Sequence, residues 1–328
     1  TMLGKEVLLN ALRGERTPRP GWIPFTGCHA GRLIGKPADE YLRSTDLIVA
    51  GLMAAEARYR PDGLPIVFDL QLEAEVLGCE LRWAHNGPPS VVTHPLANGA
   101  TLADLPPFRT DAGRYPLVLE ATRRLKAEIG DRVALFGLIC GPLTLALHLL
   151  GNNIFLAMFD DVAGVQELVG WCSEVGETAA DAYIAAGADV IAVVDPMVSQ
   201  ISPEHFRQFV AGPANALFDH IHGRGTPATL FCCGDATRNL EVMAQTSCDG
   251  IFVDENIDLA HLRDIARAAG KSFGGNLQLT AVLLLGTEAD AQRNALACID
   301  IGDSEGYVLA PGCDLPYDTP PANVAAAG

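Results

Sequence analysis

Cys233, Glu255 and Cys313 offer sulfur, oxygen and sulfur donors, the ligand types of zinc. A catalytic zinc takes about four donors and keeps one position for water or substrate. The three residues are far apart in the chain, so only a fold that gathers distant strand ends could assemble them. Cysteine is often a small buried hydrophobe, and Cys28, Cys79, Cys140, Cys172, Cys248 and Cys298 are read that way. Cys233 and Cys313 differ because each adjoins glycine at a predicted strand end and a carboxylate lies between them. Cys232 and Cys233 must face opposite ways in an extended strand, so at most one of them reaches the mouth of the fold.

The elements that would position these residues recur along the chain. Apolar runs bounded by Gly, Pro or Asp occur at Trp22 to Phe25, Pro65 to Asp69, Val133 to Leu138, Asp189 to Val194, Ala228 to Cys232, Gly250 to Val253, Ser272 to Gly275 and Gly306 to Ala310. Stretches of helical period lie between several of them: Arg114 to Ile129, Val162 to Ala186, Pro203 to His222, Asn239 to Thr246, Leu259 to Ala269 and Glu288 to Ile301. Strands that are apolar throughout are buried on both faces, as in a parallel sheet wrapped by helices. The repeated units predict one α/β domain over residues 1–328, a (β/α)8 TIM barrel with an irregular rim excursion at about 70–111. An open doubly wound sheet is the rival, but Phe25-Thr26-Gly27-Cys28-His29-Ala30-Gly31 lacks the spacing of a phosphate-binding turn. In the barrel, chemistry belongs at the carboxyl ends of the strands. His29, Asp69, Asp195 and Asn276 are further polar residues there.

With 40 Asp plus Glu against 23 Lys plus Arg among 328 residues, the chain carries a formal charge of −17. Nucleic acid, which is bound by cationic side chains, is excluded as a partner, and anionic membranes are disfavoured for the same reason. The apolar stretch from Ala134 to Phe159 is broken by Gly137, Gly141, Pro142, His148, Gly151, Asn152 and Asn153, so no membrane span is expected. The start has no apolar signal core, and Thr1 before Met2 reads as a cloning remnant. Nine cysteines, an odd number, fit reduced thiols in a cytoplasm.

The chain resembles the uroporphyrinogen decarboxylase superfamily, and within it the zinc-dependent, corrinoid-linked methyltransferases. The residues carrying this are Phe68-Asp69 before Glu73-Ala74-Glu75-Val76-Leu77-Gly78-Cys79, Asp195-Pro196, Cys233-Gly234, Asp254-Glu255, Gly275-Asn276-Leu277 with Leu285-Gly286-Thr287, and Gly312-Cys313-Asp314-Leu315-Pro316 running to Asn323. The resemblance implies a metal held by a His-x-Cys pair, a later carboxylate and a C-terminal cysteine. Carried over, these are Cys233, Glu255 and Cys313, with Phe231 standing where the histidine is expected. That leaves either a three-ligand site or recruitment of Cys232. The arginine-rich opening of true decarboxylases is reduced to Arg32 within Cys28-His29-Ala30-Gly31-Arg32-Leu33.

Two directions of methyl transfer follow from the resemblance. In the first, a methoxylated aromatic gives its methyl group to a Co(I) corrinoid carried by a partner protein, while zinc stabilises the leaving phenolate. In the second, a methyl-corrinoid methylates a zinc-bound thiol of the coenzyme M type. Asp69, Asp195, Asn276 and His29 would line the pocket, or serve equally as strand-end hydrogen bonders. No Asp-x-His-x-x-Gly run of a cobalamin domain is present, so the corrinoid is expected on a partner, and a homodimer is allowed. Decarboxylation and a metal-binding barrel without catalysis are the remaining readings.

Overall fold

The eight apolar runs form one parallel sheet in the computed structural model, which describes residues 2–328; the reading of Thr1 lies outside them. The strands are β1 (Gly21–Trp22), β2 (Gly63–Pro65), β3 (Ala134–Cys140), β4 (Val190–Val194), β5 (Ala228–Cys232), β6 (Gly250–Val253), β7 (Ser272–Leu277) and β8 (Tyr307–Pro311). Each of β2 to β7 pairs with its successor, and β8 pairs with β1, which is the order of a nearly closed (β/α)8 barrel.

Asp62 bridges the seam between β1 and β2. Its N–H donates to the Trp22 carbonyl at 2.9 Å, its Oδ2 accepts the Trp22 N–H at 2.9 Å, and Arg19 holds both carboxylate oxygens at 2.5 and 2.8 Å. Both ladders here are shorter than the apolar runs that contain them. Beyond Trp22 and Pro65 only single bonds continue, from Ile23 N–H to Leu309 and from Ile66 N–H to Phe136, as the backbone turns away toward the rim.

One face of the sheet fills the barrel. Phe136, Leu138, Ala192, Val194, Phe231 and Phe252 meet there, and the helix Gly4–Leu12 plugs the amino-terminal end with Leu8, Ala11 and Leu12. The other face meets the helices. In Val162–Ala186 the buried positions Val165, Leu168, Val169, Cys172, Gly176, Ala179 and Tyr183 recur every three or four residues, so one stripe lies against the sheet. Asp161 starts that helix by accepting the Gly164 N–H, and Gly187 ends it in the left-handed region. No single helix among the described residues is long and apolar enough to cross a membrane. Pro142–Leu150 and Asn153–Asp160, which pass together by composition, are bent by 104°.

The 70–111 segment carries the short helix Leu72–Val76, an antiparallel ribbon pairing Leu81–Arg82 with Ser90–Val91, and a 3-10 turn at Leu102–Asp104. A buried ion network ties it to the barrel. Arg114 reaches Asp69 at 2.6 Å and Glu75 at 2.8 Å, and its guanidinium lies 4.7 Å from the Trp83 ring centroid.

Glu73 is fully enclosed beside this network. Its Oε1 accepts the Cys140 N–H at 3.1 Å at the end of β3, a group that short β2 leaves without a ladder partner. Burial pushes its carboxyl from an ordinary 4.5 up to about 7. The folded state therefore holds this proton more tightly than the unfolded chain. The resulting stability is present below pH 4.5 and is lost as pH rises through about 7. Glu73→Gln keeps the acceptor and removes the charge. It is expected to leave stability near pH 4.5 almost unchanged and to raise it at pH 8 by about 3 kcal/mol at most, measured by urea unfolding at both values.

Candidate metal centre

Cys233 and Cys313 meet at the carboxyl end of the barrel, their Sγ atoms 2.7 Å apart across 80 residues of sequence. Strand alternation produces this. Cys232, the last residue of β5, points outward into the core between sheet and helices, whereas Cys233 packs on the barrel interior. The chain then turns at Gly234 with φ +92, where any Cβ would crowd the Ser199 Oγ at 2.8 Å. On the opposite side Gly312 lies against the backbone of Glu255. A Cβ there would be 3.0 Å from the Glu255 Cα and would overlap its backbone nitrogen. Glycine on the far side of each cysteine thus lets three rim segments close on one another.

Two side chains pin these segments. Asp254 accepts the Gly234 N–H at 2.9 Å through Oδ2 and the Asn256 N–H at 2.9 Å through Oδ1, coupling the Cys233 turn to the loop after β6. Asn276 donates from Nδ2 to the carbonyls of Asp254 at 3.0 Å and Ile257 at 2.7 Å. Asn276 therefore shapes the loop that bears Glu255. Glu255 itself is half-buried, and its Oε2 accepts the Leu279 N–H at 2.5 Å. Burial and the nearby Asp254 raise its carboxyl above the ordinary range.

The other residues singled out from sequence sit as follows. Asp69 is buried, bound by Arg114 and by the Gln71 N–H at 2.9 Å. Asp195 accepts from the N–H groups of Leu143 and Thr144 at 3.1 and 2.9 Å and from the Thr144 hydroxyl at 2.6 Å, so it caps the start of Pro142–Leu150. A Cβ at Gly141 would overlap Asp195, so glycine is required at this approach. His29 does not face the sulfurs. Its Nε2 meets the Tyr59 hydroxyl at 2.6 Å and its Nδ1 the Tyr317 carbonyl at 3.3 Å, and burial lowers its pKa to about 4. All four are hydrogen-bonded to neighbouring loops and helices, Asn276 through its Nδ2.

Phe231 lies two residues before Cys233, on the same face of β5. Its ring centroid is 5.3 Å from that of Phe25, 5.8 Å from Phe68 and 6.4 Å from Phe252. An aromatic layer thus fills the histidine position and floors the thiol pair. Cys232, being turned outward, does not replace the missing nitrogen.

Asp314, which is not among the site residues the sequence points to, directly follows Cys313. Its Oδ1 is 3.3 Å from the Cys313 Sγ, and burial, with Asp69 nearby, pushes its carboxyl up to about 6. The contact with Cys233, then burial and the Asp314 charge, raise the Cys313 thiol above the ordinary range.

Zinc can be tested against this donor set. Two soft donors touch at a solvent-accessible rim, and Asp254, Glu255 and Asp314 surround them. Among the described residues none of these three carboxylates has an Arg, Lys or His ion-pair partner; the nearby Arg114 serves Asp69 and Glu75. Negative charge without a countercharge beside two thiols is the environment a divalent cation would neutralise, so the residues fit. The cage is not fully gathered, however. No group of three or more His, Cys, Asp and Glu side chains among the described residues stands close enough to hold an ion, because Glu255 is turned to Leu279.

Comparison with known proteins places this geometry. The chain is 30% identical over 266 residues to the methylcobamide:CoM methyltransferase MtbA of Methanosarcina acetivorans, covering 80% of this chain and 77% of that protein. It is 31% identical over 284 residues to the methylcobamide:CoM methyltransferase MtaA of Methanosarcina barkeri strain Fusaro, covering 83% and 80%. A solved methyltransferase from Methanosarcina mazei superposes with a TM-score of 0.91 at 27% identity, covering 100% of this chain and 97% of that one. The uroporphyrinogen decarboxylase (URO-D) profile matches residues 3–327, and the chain belongs to that family.

Proposed function

We propose that this protein is a methyltransferase that moves a methyl group between the corrinoid of a partner protein and a thiol held at a zinc centre on Cys233 and Cys313, with Glu255 as the carboxylate donor. The observation that carries this is the contact of the two sulfurs at the barrel mouth among carboxylates that have no countercharge. The names of the two Methanosarcina relatives support it. Zinc bound there supplies Lewis acidity that lowers the pKa of a coordinated thiol, making the nucleophilic thiolate available near neutral pH. Two thiolates and a carboxylate around a doubly positive ion leave one net negative charge, which favours an electron-rich sulfur over a strong Lewis acid.

The chain's own residues divide the remaining work. Asp254 and Asn276 fix the loops that present Cys233 and Glu255. Asp314, poised near pH 6 beside Cys313, can take the thiol proton released there. The layer of Phe25, Phe68, Phe231 and Phe252 keeps water out from below.

A second reading, demethylation of a methoxylated aromatic onto Co(I), is supported less, because the rings of this layer are only 2–7% exposed and pack on one another. Decarboxylation is supported less. Arg32, the one arginine kept from the decarboxylase opening, is exposed and faces Asp318 at 3.6 Å. A metal-binding barrel without catalysis would hold zinc and transfer nothing.

Methylcobalamin with coenzyme M is expected to yield Co(I) and methylated thiol, followed by the visible spectrum of the corrinoid. Methyl-Co(III) appearing only from Co(I) corrinoid and methoxyaromatics would reverse the assignment, and transfer in neither mixture by zinc-loaded protein would point to the non-catalytic barrel.

A further inference from the structure

We propose that Cys233 and Cys313 form a redox modification site, which a peroxide converts into a single reversible disulfide. Of the nine cysteines these two alone are part-exposed; the other seven are buried. Their sulfurs are already 2.7 Å apart, so bond formation at ~2.05 Å asks for an approach of only about 0.7 Å. Gly234 and Gly312 flank them. Cys232 cannot compete, since its sulfur is directed outward toward the Pro196 carbonyl at 3.8 Å.

The chemistry balances with the peroxide as oxidant. One sulfur attacks the O–O bond and becomes a sulfenic acid while one water leaves. The second sulfur then attacks the first, the S–O bond breaks, a second water leaves and the S–S bond forms. Two thiols and one hydrogen peroxide give one disulfide and two waters. A dithiol reductant reverses this by exchange, giving up two hydrogens to the pair and leaving as its own disulfide. In the oxidised form neither sulfur is free as a thiolate, so the mouth loses both soft donors together. Among proteins of reducing compartments, disulfides that do form are mostly transient and redox-sensing. The inference stands on the position of the sulfurs and holds whichever molecule the site transfers.

The test is peptide mapping without reductant after stoichiometric hydrogen peroxide. A peptide pair joined through Cys233 and Cys313 is expected, with the intact mass lower by two hydrogens and full recovery on adding a dithiol. Both cysteines remaining open to alkylation, oxygen adducts in place of the link, or a link to Cys232 would overturn the proposal. In Cys313→Ser the joined peptide should vanish; a disulfide from Cys233 to any other cysteine in that variant would also overturn it. Zinc added first is expected to slow the joining. Equal rates with and without zinc would leave the disulfide standing and remove the shared-metal reading, so the two failures are separable.

Discussion

Cys313→Ser is expected to lower zinc affinity by more than about 100-fold and to reduce methyl transfer to background. The hydroxyl fits the space of the thiol but is a poor zinc ligand at neutral pH. The paired Cys233 then keeps one soft donor, which is too few to hold the ion against chelators. Far-ultraviolet circular dichroism should be unchanged, because Cys313 is only part-buried and its loop is held by the Leu315 N–H bond to the Phe25 carbonyl at 2.7 Å and by the Gly312 N–H bond to Leu277 at 3.0 Å. Chelator competition checks the affinity. A variant that retained zinc and turnover at wild-type levels would remove Cys313 from the centre.

Arg114→Met should produce the largest loss of stability. Asp69 is 1% exposed and would be left as a buried carboxylate without its cation, while Glu75 would lose the Arg114 Nε–H that its Oε2 accepts at 2.8 Å. Breaking a buried pair from one side costs roughly 3–5 kcal/mol. In a chain of 328 residues that corresponds to a fall of roughly 4–7 °C in thermal midpoint. Pairing the change with Asp69→Asn should recover part of the loss, because the stranded charge is then gone. Thermal and urea unfolding of the three proteins form the check. A single-variant effect below about 1 kcal/mol would show that Asp69 is hydrated rather than sealed.

The barrel was legible because its strands are apolar on both faces, so eight runs stand out against polar punctuation. The least regular strands were the ones placed least well. At β1 and β2 the apolar runs continue past Trp22 and Pro65, but the ladder stops, since hydrophobicity marks burial and not pairing. The thiol pair was legible through the glycines beside Cys233 and Cys313, while alternation says only that at most one of Cys232 and Cys233 faces the mouth; that Cys232 is the outward one is seen in the fold.

The pocket lining was harder to read. Asp195, Asn276 and His29 lie at strand ends as expected, but their hydrogen bonds go to backbone groups of neighbouring loops and to Tyr59. Strand-end polarity alone does not say whether a side chain faces a ligand or the next loop. Arg114 was not singled out, because its partners Asp69 and Glu75 precede it by 45 and 39 residues and no local spacing joins them. Glu255 shows the same limit at a finer scale. Its position beside Gly312 follows from the strand order, while the direction of its carboxylate depends on the Leu279 N–H.

The most direct measurement is zinc-edge X-ray absorption on protein loaded with one equivalent of zinc. The account predicts two sulfur neighbours at about 2.3 Å, with the rest of the shell made of oxygen. A shell without sulfur, or with sulfur that persists unchanged in both Cys233→Ser and Cys313→Ser, would contradict it.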